Sequence, residues 1–176
     1  MIELAFAAPV VIFSIIAMIE ILTIMFVTTL MEGAVREASR FGITGFVPPG
    51  STREQVIADI VKENTLGLVD IQPDTITTLV YLDFDKVGQP EPLTVDVNGN
   101  GKYDAADGDQ YTDVNGNGTW DLDQGATGVG GASDVVLYTI SYDWKIFTPL
   151  MAAFIGNNGV VKLSASVAVR NEPFGP

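Results

Sequence analysis

The chain contains no cysteine and no histidine, and these two absences exclude much of the chemistry that proteins commonly carry. Without cysteine there is no disulfide, no thiolate nucleophile and no cysteine-ligated zinc site. Without histidine the chain lacks the commonest general base and the commonest transition-metal ligand. The sequence also has no G-x-S-x-G or phosphate-loop motif. We therefore expect that the protein is not an enzyme.

Basic residues are scarce as well. Lys and Arg number 9 against 22 Asp and Glu, which gives a net charge of −13. This balance argues against a nucleic-acid partner, because phosphates require basic contacts, and against electrostatic docking on anionic lipid. It suits a surface that faces water or divalent cations. Asp83 and Asp85 are the remaining candidates for an acid–base pair, but their spacing more simply predicts two carboxylates on an exposed strand edge.

Long apolar runs, by contrast, are present at the N-terminus. Residues 4–19 are apolar except for Ser14, and residues 21–31 continue with three threonines as the only polar side chains. Such a span is long enough to cross a bilayer, which needs roughly 20 residues. Glu20 interrupts it, Glu3 precedes it and Pro9 lies inside it. The first basic residue, Arg36, follows the run, so we expect a retained segment rather than a cleaved secretory signal.

The helical pattern continues through "EGAVREASRF" at 32–41 and ends at the Gly-rich stretch before "VPPG". This predicts one helix of about 40 residues, roughly 60 Å long. "STREQVIADIVKEN" then begins with a capping box, Ser51 as N-cap and Glu54 three residues later, and predicts a second, amphipathic helix. The expected domains are a membrane and assembly helix at 1–42 and a globular head at 43–176.

Beyond Gly67 the composition changes to β-branched and aromatic residues. Three strands are predicted at 75–84, 134–144 and 159–170, and an antiparallel arrangement is favoured. A short helical turn is predicted at 149–154, between the last two strands. The fold class is therefore α+β: a long N-terminal hydrophobic helix, a second amphipathic helix, and a small antiparallel sheet head that carries an acidic insertion.

The insertion, residues 96–124, contains the hexapeptide Asp-Val-Asn-Gly-Asn-Gly twice. Each copy fits the EF-hand calcium loop, which has oxygen ligands at positions 1, 3, 5, 7, 9 and 12 and glycine at position 6. The first copy predicts ligands at Asp96, Asn98, Asn100, Lys102 through its carbonyl, Asp104 and Asp107. The second copy predicts ligands at Asp113, Asn115, Asn117, Thr119 through its carbonyl, Asp121 and Gln124.

The second copy is the weaker candidate because the amide of Gln124 stands where a carboxylate is usual; Asp123 or Asp109 are alternative sources of that charge. The two copies are too close together for flanking helices, so they are predicted to be bare loops inserted between strands. Seven acids against one base, Lys102, repel one another without a cation. The prediction is one or two calcium ions; the alternative is a flexible acidic insertion whose Gly and Asn only make turns.

The order of Glu3, Pro9, Glu20 and "EGAVREASRFGITG", together with the ending "ASVAVRNEPF", resembles the TadE-like family of pilins and pseudopilins of the Tad (tight adherence) pilus system, which is type IV pilus-like. The resemblance covers both ends of the chain, and the acidic loop is not a feature of the family. It implies an inner-membrane precursor that is trimmed by a prepilin peptidase and then packs by its N-terminal helix into or beside a cell-surface pilus, as a minor or priming component of the assembly apparatus and not as an enzyme. The absence of a basic leader before Glu3 leaves two readings: a trimmed chain or unusual processing.

The resemblance also implies roles for the two glutamates. Glu3 is expected to pair with the N-terminal amine of a neighbouring subunit, because a carboxylate in an apolar bundle needs a cationic partner. Glu20 is expected at a polar contact between subunits or in a lipid-depleted bundle interior. The partners implied are copies of this chain or other pilins. The alternative function is a membrane-anchored, calcium-dependent adhesion or binding module.

Overall fold

The N-terminal apolar sequence forms a single long helix. The computed structural model describes the backbone of residues 2–43 and 48–173, and in these ranges every side chain except those of residues 2–5, 43 and 74. Helix α1 spans Ile2–Ile43, 42 residues, with Pro9 inside it. The expected helix of about 40 residues is confirmed. Its segment Phe6–Gly42 is long and apolar enough, by length and composition, to cross a membrane.

Helix α2 spans Arg53–Asn64 and is the predicted amphipathic helix, with a capping box displaced by one residue. The hydroxyl of Thr52, not Ser51, accepts the Gln55 N–H at 3.2 Å, and the Gln55 side chain accepts the Thr52 N–H at 2.9 Å. The Ser51 and Glu54 assignment was therefore wrong. Thr and Gln have the same capping chemistry as Ser and Glu, so the sequence alone fits either register.

The main sheet is antiparallel, with strand order β4-β1-β5-β6. Its long strands agree with the three predicted ones and are β1 at Ile76–Tyr81, β5 at Val135–Lys145 and β6 at Val160–Arg170. The short strands were not predicted and are β2 at Leu93–Val95, β3 at Gln110–Tyr111 and β4 at Ala126–Thr127. Strands β2 and β3 form a separate two-stranded sheet. The predicted turn between β5 and β6 is a short helix, α3, at Pro149–Ala152.

The core of the head includes the second half of α1. Its buried positions recur at spacings of three and four residues, as one face of a helix requires, and are Val27, Met31, Ala34, Val35 and Ala38. They pack with Ile57 and Val61 of α2 and with the alternate residues Val136, Tyr138 and Ile140 of β5. One helix therefore supplies both a largely exposed apolar segment and part of the head's core. The α+β architecture is as expected.

The acidic insertion leaves the sheet after β1 and returns to it through β4 and β5. Between residues 87 and 134, all of which are described, there is no helix, in agreement with bare loops. Strand β1 ends at Tyr81, and Asp83 accepts the Phe84 N–H at 2.8 Å to cap a 3₁₀ turn at Phe84–Lys86. The expectation of Asp83 and Asp85 on a strand edge was wrong, because the carboxylate of Asp83 competes for a backbone N–H and starts a turn.

Candidate functional site

The first calcium-like loop is folded around the carboxylate of Asp96. One oxygen of this carboxylate accepts the N–H groups of Gly99 at 2.7 Å and Asn100 at 3.2 Å, and the other accepts that of Gly101 at 2.8 Å. Gly99 and Gly101 have φ angles of 70° and 71°, which side chains other than glycine rarely adopt. The glycines of the repeated hexapeptide therefore allow the chain to wrap around its first acid.

The second loop repeats this arrangement around Asp113. One oxygen of Asp113 accepts the N–H groups of Gly116 at 2.7 Å and Asn117 at 3.2 Å, and the other accepts that of Gly118 at 2.8 Å. The same hydrogen bonds with the same lengths follow from the repeated hexapeptide. The duplication of sequence is therefore a duplication of local structure.

In each loop, two backbone N–H groups donate to a second carboxylate, which is not one of the predicted ligands of that loop. In the first loop Asp109 accepts the N–H groups of Val97 and Asp104, both at 2.9 Å. These amides belong to the second and ninth positions of the loop. In the second loop the corresponding amides are those of Val114 and Asp121, which donate to the carboxylate of Glu91 at 2.7 and 3.2 Å. Glu91 and Asp109 therefore make equivalent contacts, although Glu91 precedes its loop in the sequence and Asp109 follows its own.

Sequence reasoning missed Glu91 entirely. The residue is 1% exposed. Besides its carboxylate contacts, its N–H donates to the carbonyl of Asp121 at 3.0 Å and its carbonyl accepts from Trp120 Nε1 at 3.0 Å. It lies 22 residues before the loop that it supports, between Pro90 and Pro92, and nothing in that spacing indicates the contact. Only the three-dimensional structure identifies it.

The two loops differ in which acid accepts the hydrogen bonds of their Asn side chains. In the first, the side-chain amide of Asn98 donates to Asp107, at the twelfth position. In the second, the amides of Asn115 and Asn117 both donate to Asp121, at the ninth position. These two amides hold the pKa of Asp121 below its ordinary value, chiefly through the hydrogen bond from Asn115. The Asn side chains therefore donate to the acid at the twelfth position in the first loop and to the acid at the ninth position in the second.

Gln124, and the two acids considered in its place for the second loop, have contacts elsewhere. The Gln124 side chain is mostly buried and donates to the carbonyls of Gln89 at 3.5 Å and Pro90 at 3.3 Å. Asp123 accepts the Tyr81 hydroxyl at 2.8 and 2.9 Å, and Asp109 accepts amides of the first loop. Gln124 and Asp123 thus connect the insertion to residues outside it, whereas Asp109 holds the first loop together. A role of Gln124 in metal binding stays a prediction.

Three other predicted ligands, Asn100, Asn117 and Asp104, each accept a backbone N–H two residues further along the chain. The carbonyl oxygen of the Asn100 side chain accepts the Lys102 N–H at 2.7 Å, and that of Asn117 accepts the Thr119 N–H at 2.7 Å. Asp104 accepts the Ala106 N–H at 2.8 Å. Among the residues that the structure describes, no group of three or more acidic side chains converges as a metal centre. The predicted donor sets instead mix Asp, Asn and backbone carbonyls, which are the hard oxygen ligands that calcium takes.

Aromatic residues join the two loops. Tyr103 and Trp120 occupy the eighth position of their respective copies, and their rings stack with centroids 5.6 Å apart at 26°. Tyr111, from strand β3, meets Tyr103 edge to face at 5.0 Å. Stacked and edge-to-face rings are favourable beyond the area that they bury. The insertion is therefore a pair of loops with its own small apolar centre. Calcium binding by these loops stays a prediction.

The candidate assembly residues lie on α1. Glu20 is 2% exposed, and one of its carboxylate oxygens accepts the backbone N–H of Thr148 at 2.8 Å and its hydroxyl at 3.0 Å. Pro9 is exposed on the apolar segment. The side chain of Glu3 lies outside the described residues, so its pairing with a neighbouring N-terminal amine stays a prediction. Glu20 thus has a partner within its own chain that the sequence did not indicate.

Comparison with family models, with curated proteins and with solved structures gave no match for this chain.

Proposed function

We propose that this protein is a structural subunit, a pilin or pseudopilin, of a Tad or type IV-like pilus. It assembles through its N-terminal hydrophobic helix, and its head is stabilised by calcium. Before assembly the helix is held in the bacterial inner membrane, and afterwards the head lies on a cell-surface filament. The role is structural and requires no catalysis.

The observation that carries the proposal is the division of α1 into two halves with different surroundings. Large apolar side chains are exposed from Phe6 to Phe26. From Val27 to Ala38 the same helix supplies buried residues of the head, and its outward side carries Glu32, Arg36 and Glu37. A soluble protein rarely leaves so long an apolar surface uncovered. A helix that is half anchor and half core is what a subunit needs in order to move from a bilayer into a bundle of like helices without unfolding its head.

The calcium part of the proposal is supported by the paired loops. Their acids are held by backbone N–H groups, and their Asn and Asp oxygens follow the spacing of calcium loops. Bound calcium would offset the repulsion among the seven acids of residues 96–124. We expect the modest affinity of extracellular calcium modules, a Kd of about 10⁻⁴–10⁻³ M.

The decisive experiment is to replace Glu3 with alanine in cells that produce the protein and to recover their surface filaments. We expect the variant to remain folded in the membrane fraction and to be missing from filaments. A Glu32→Ala variant is the matched control, because Glu32 is an exposed carboxylate on the same helix outside the apolar segment. Normal incorporation of the Glu3→Ala variant would remove the role given to Glu3.

A membrane-anchored, calcium-dependent adhesion module is the second candidate. One observation favours it: the two loops are joined by stacked aromatic rings and supported by hydrogen bonds to Glu91. They therefore form a defined surface, which recognition of another molecule requires. Removal of residues 96–124 would abolish calcium-dependent adhesion in that case. Unchanged adhesion after the removal would count against this candidate and would leave the filament subunit as the better explanation.

A further inference from the structure

The connection between β5 and β6, residues 146–156, is apolar and uncharged, and its sequence is "IFTPLMAAFIG". We call it the apolar connection. Met151 is its buried residue, whereas Phe147, Leu150 and Phe154 are largely exposed. Exposed large apolar side chains that follow one another on one segment are unusual on a surface that faces water. The head therefore carries an apolar projection that its own folding does not cover.

This projection lies along the apolar half of α1. The rings of Phe154 and Phe13 meet edge to face with centroids 5.7 Å apart, and Thr148 donates two hydrogen bonds to Glu20. Phe13 and Glu20 both fall within the exposed apolar stretch that ends at Phe26. At 1.5 Å per residue, Glu20 lies about 9 Å and Phe13 about 20 Å from Phe26 along the helix. The apolar connection is thus beside the segment of α1 that is suited to hydrocarbon.

We infer that the apolar connection is inserted into the lipid bilayer together with α1, so that the head reaches into the membrane before the subunit is assembled. This inference rests on the proposed membrane-held stage of the subunit. The exposed faces of Phe147, Leu150 and Phe154 then contact acyl chains. The occupant of this surface in the membrane is lipid, and not a second copy of the chain.

Part of the backbone of the apolar connection meets the main requirement of that environment. Hydrocarbon offers no hydrogen-bonding partner, so a non-helical segment is tolerated only where its polar groups are satisfied within the protein. Pro149 has no N–H to satisfy. Several of its N–H groups donate within the chain, and they belong to Ile146, Thr148, Ala152, Phe154 and Ile155.

The buried carboxylate of Glu20 supports the same placement. An ionisable side chain inside a membrane span is costly and is found facing protein, where it has polar partners. The apolar connection covers Glu20 and supplies the N–H and hydroxyl of Thr148 to one of its oxygens. Thus the segment that hides the charge-bearing group from lipid presents only apolar and uncharged side chains outward.

Charged residues resume immediately outside the apolar connection. Lys145 directly precedes it, Lys162 follows it on β6, and both are exposed. Asn157 and Asn158 lie in the turn between the apolar connection and β6. Long basic side chains can extend from the edge of a bilayer to its headgroups. This order of residues predicts that the membrane surface crosses the head at the ends of β5 and β6.

The test is a spin-label measurement on the full chain in phosphatidylcholine–phosphatidylglycerol vesicles. The chain has no cysteine, so single-cysteine variants carry one label each without further changes. Phe154→Cys and Leu150→Cys report on the apolar connection, and Ile15→Cys reports on α1. Leu122→Cys is the matched control, because Leu122 is 76% exposed, close to the 70% of Phe154, but lies in the acidic insertion. Power saturation compares access to oxygen, which enters lipid, with access to a water-soluble nickel chelate.

The expected result is greater access to oxygen than to the nickel chelate at positions 154, 150 and 15, and the reverse at position 122. Greater nickel access at 154 and 150 would overturn the inference, because the segment would then lie in water. Low access to both reagents there would overturn it too, because a second copy would then cover the segment. Either result with lipid contact at position 15 leaves the filament proposal intact, since that proposal is tested on filaments and not in vesicles.

Discussion

Glu20 and Thr148 lie 128 residues apart in the sequence and are joined by two hydrogen bonds, of 2.8 and 3.0 Å, to a single carboxylate oxygen. One residue belongs to the apolar helix and the other begins the short helix α3. The contact therefore fastens the apolar connection to α1. It also gives the interrupting glutamate of the N-terminal run a partner inside its own subunit, whereas the sequence led us to expect a polar contact between subunits or a lipid-depleted bundle interior.

Replacing Glu20 with alanine should loosen the apolar connection. The N–H of Thr148 would lose its acceptor, and an unsatisfied buried donor costs about 1–3 kcal/mol. Amide exchange measured by mass spectrometry should become faster in residues 146–156 and change little in β1. Thr148→Ser is the control, because serine retains both the N–H and the hydroxyl. Equal exchange in Glu20→Ala and the unmodified chain would show that the contact has no energetic weight.

Because Glu91 and Asp109 each support one loop, replacing either of them should destabilise only the loop that it supports. Glu91→Ala removes the acceptor of the Val114 and Asp121 amides, and Asp109→Ala removes that of the Val97 and Asp104 amides. Each should cost about 2–4 kcal/mol of stability, since two partnered amides lose their acceptor.

Amide exchange distinguishes the two. In Glu91→Ala the increase should be confined to residues 113–121, and in Asp109→Ala to residues 96–107. Loss of protection in both loops from either variant would show that the loops order as one unit, which would contradict their separate support.

Calcium should stabilise the folded chain. At about ten times its Kd, a ligand that binds only the folded state adds about 1.4 kcal/mol per site. Thermal unfolding of the full chain in detergent with calcium, with magnesium as the control, measures this. Asp96→Ala should remove the contribution of the first loop and Asp113→Ala that of the second. No calorimetric heat and no shift in the midpoint Tm would refute calcium binding.

Two glycines of α1 should respond oppositely to the same substitution. A Cβ on Gly42 would lie 2.5 Å from the Tyr138 hydroxyl oxygen, whereas a Cβ on Gly33 would meet nothing within 4 Å. Gly42→Ala should therefore destabilise by about 1–3 kcal/mol through overpacking. Gly33→Ala should stabilise by about 0.5–1 kcal/mol, because glycine in a helix interior is unfavourable. Urea unfolding of both variants provides the comparison, and equal effects would mean that α1 does not pack on β5 as described.

Alkaline pH should weaken the attachment of the insertion. Burial, and then the hydrogen bond to Asp123, raise the pKa of Tyr81 well above its usual value of about 10. As pH rises past about 10, the unfolded state loses this proton before the folded state does. The stabilisation is therefore complete below that pH and is lost as the pH rises towards the folded value, with a slope of about 1.4 kcal/mol per pH unit for one proton.

Tyr81→Phe removes this group and should flatten the alkaline fall in unfolding free energy by one proton's share. Burial also raises the pKa of Tyr138, so part of the fall should persist in the variant. An identical slope in Tyr81→Phe and the unmodified chain would show that Tyr81 and Asp123 are not coupled.

The sequence was informative where a local pattern determines structure. A long apolar run predicted α1, apolar periodicity predicted α2, and β-branched runs predicted β1, β5 and β6. The repeated hexapeptide predicted two similar loops, and the loops wrap around Asp96 and Asp113 as the glycines allow. Each of these features depends on residues that are neighbours in the chain.

Contacts between distant residues were not predictable in this way. The bond from Thr148 to Glu20 and the support of the second loop by Glu91 join segments whose separation no periodicity encodes. The short strands β2, β3 and β4 were also missed, because two or three residues give no alternating pattern. The capping box was displaced by one residue, since adjacent Ser51 and Thr52 are both good caps.

The central claim, that this chain is a subunit of a surface filament assembled through α1, is tested most directly by immunogold electron microscopy. Filaments sheared from producing cells are labelled with antibodies against the head, beside filaments from cells that make the Glu3→Ala variant. We expect gold on the filaments of the unmodified chain and none on those of the variant, with the variant protein still present in the membrane fraction. Unlabelled filaments in both, with all of the chain in the membrane fraction, would contradict it.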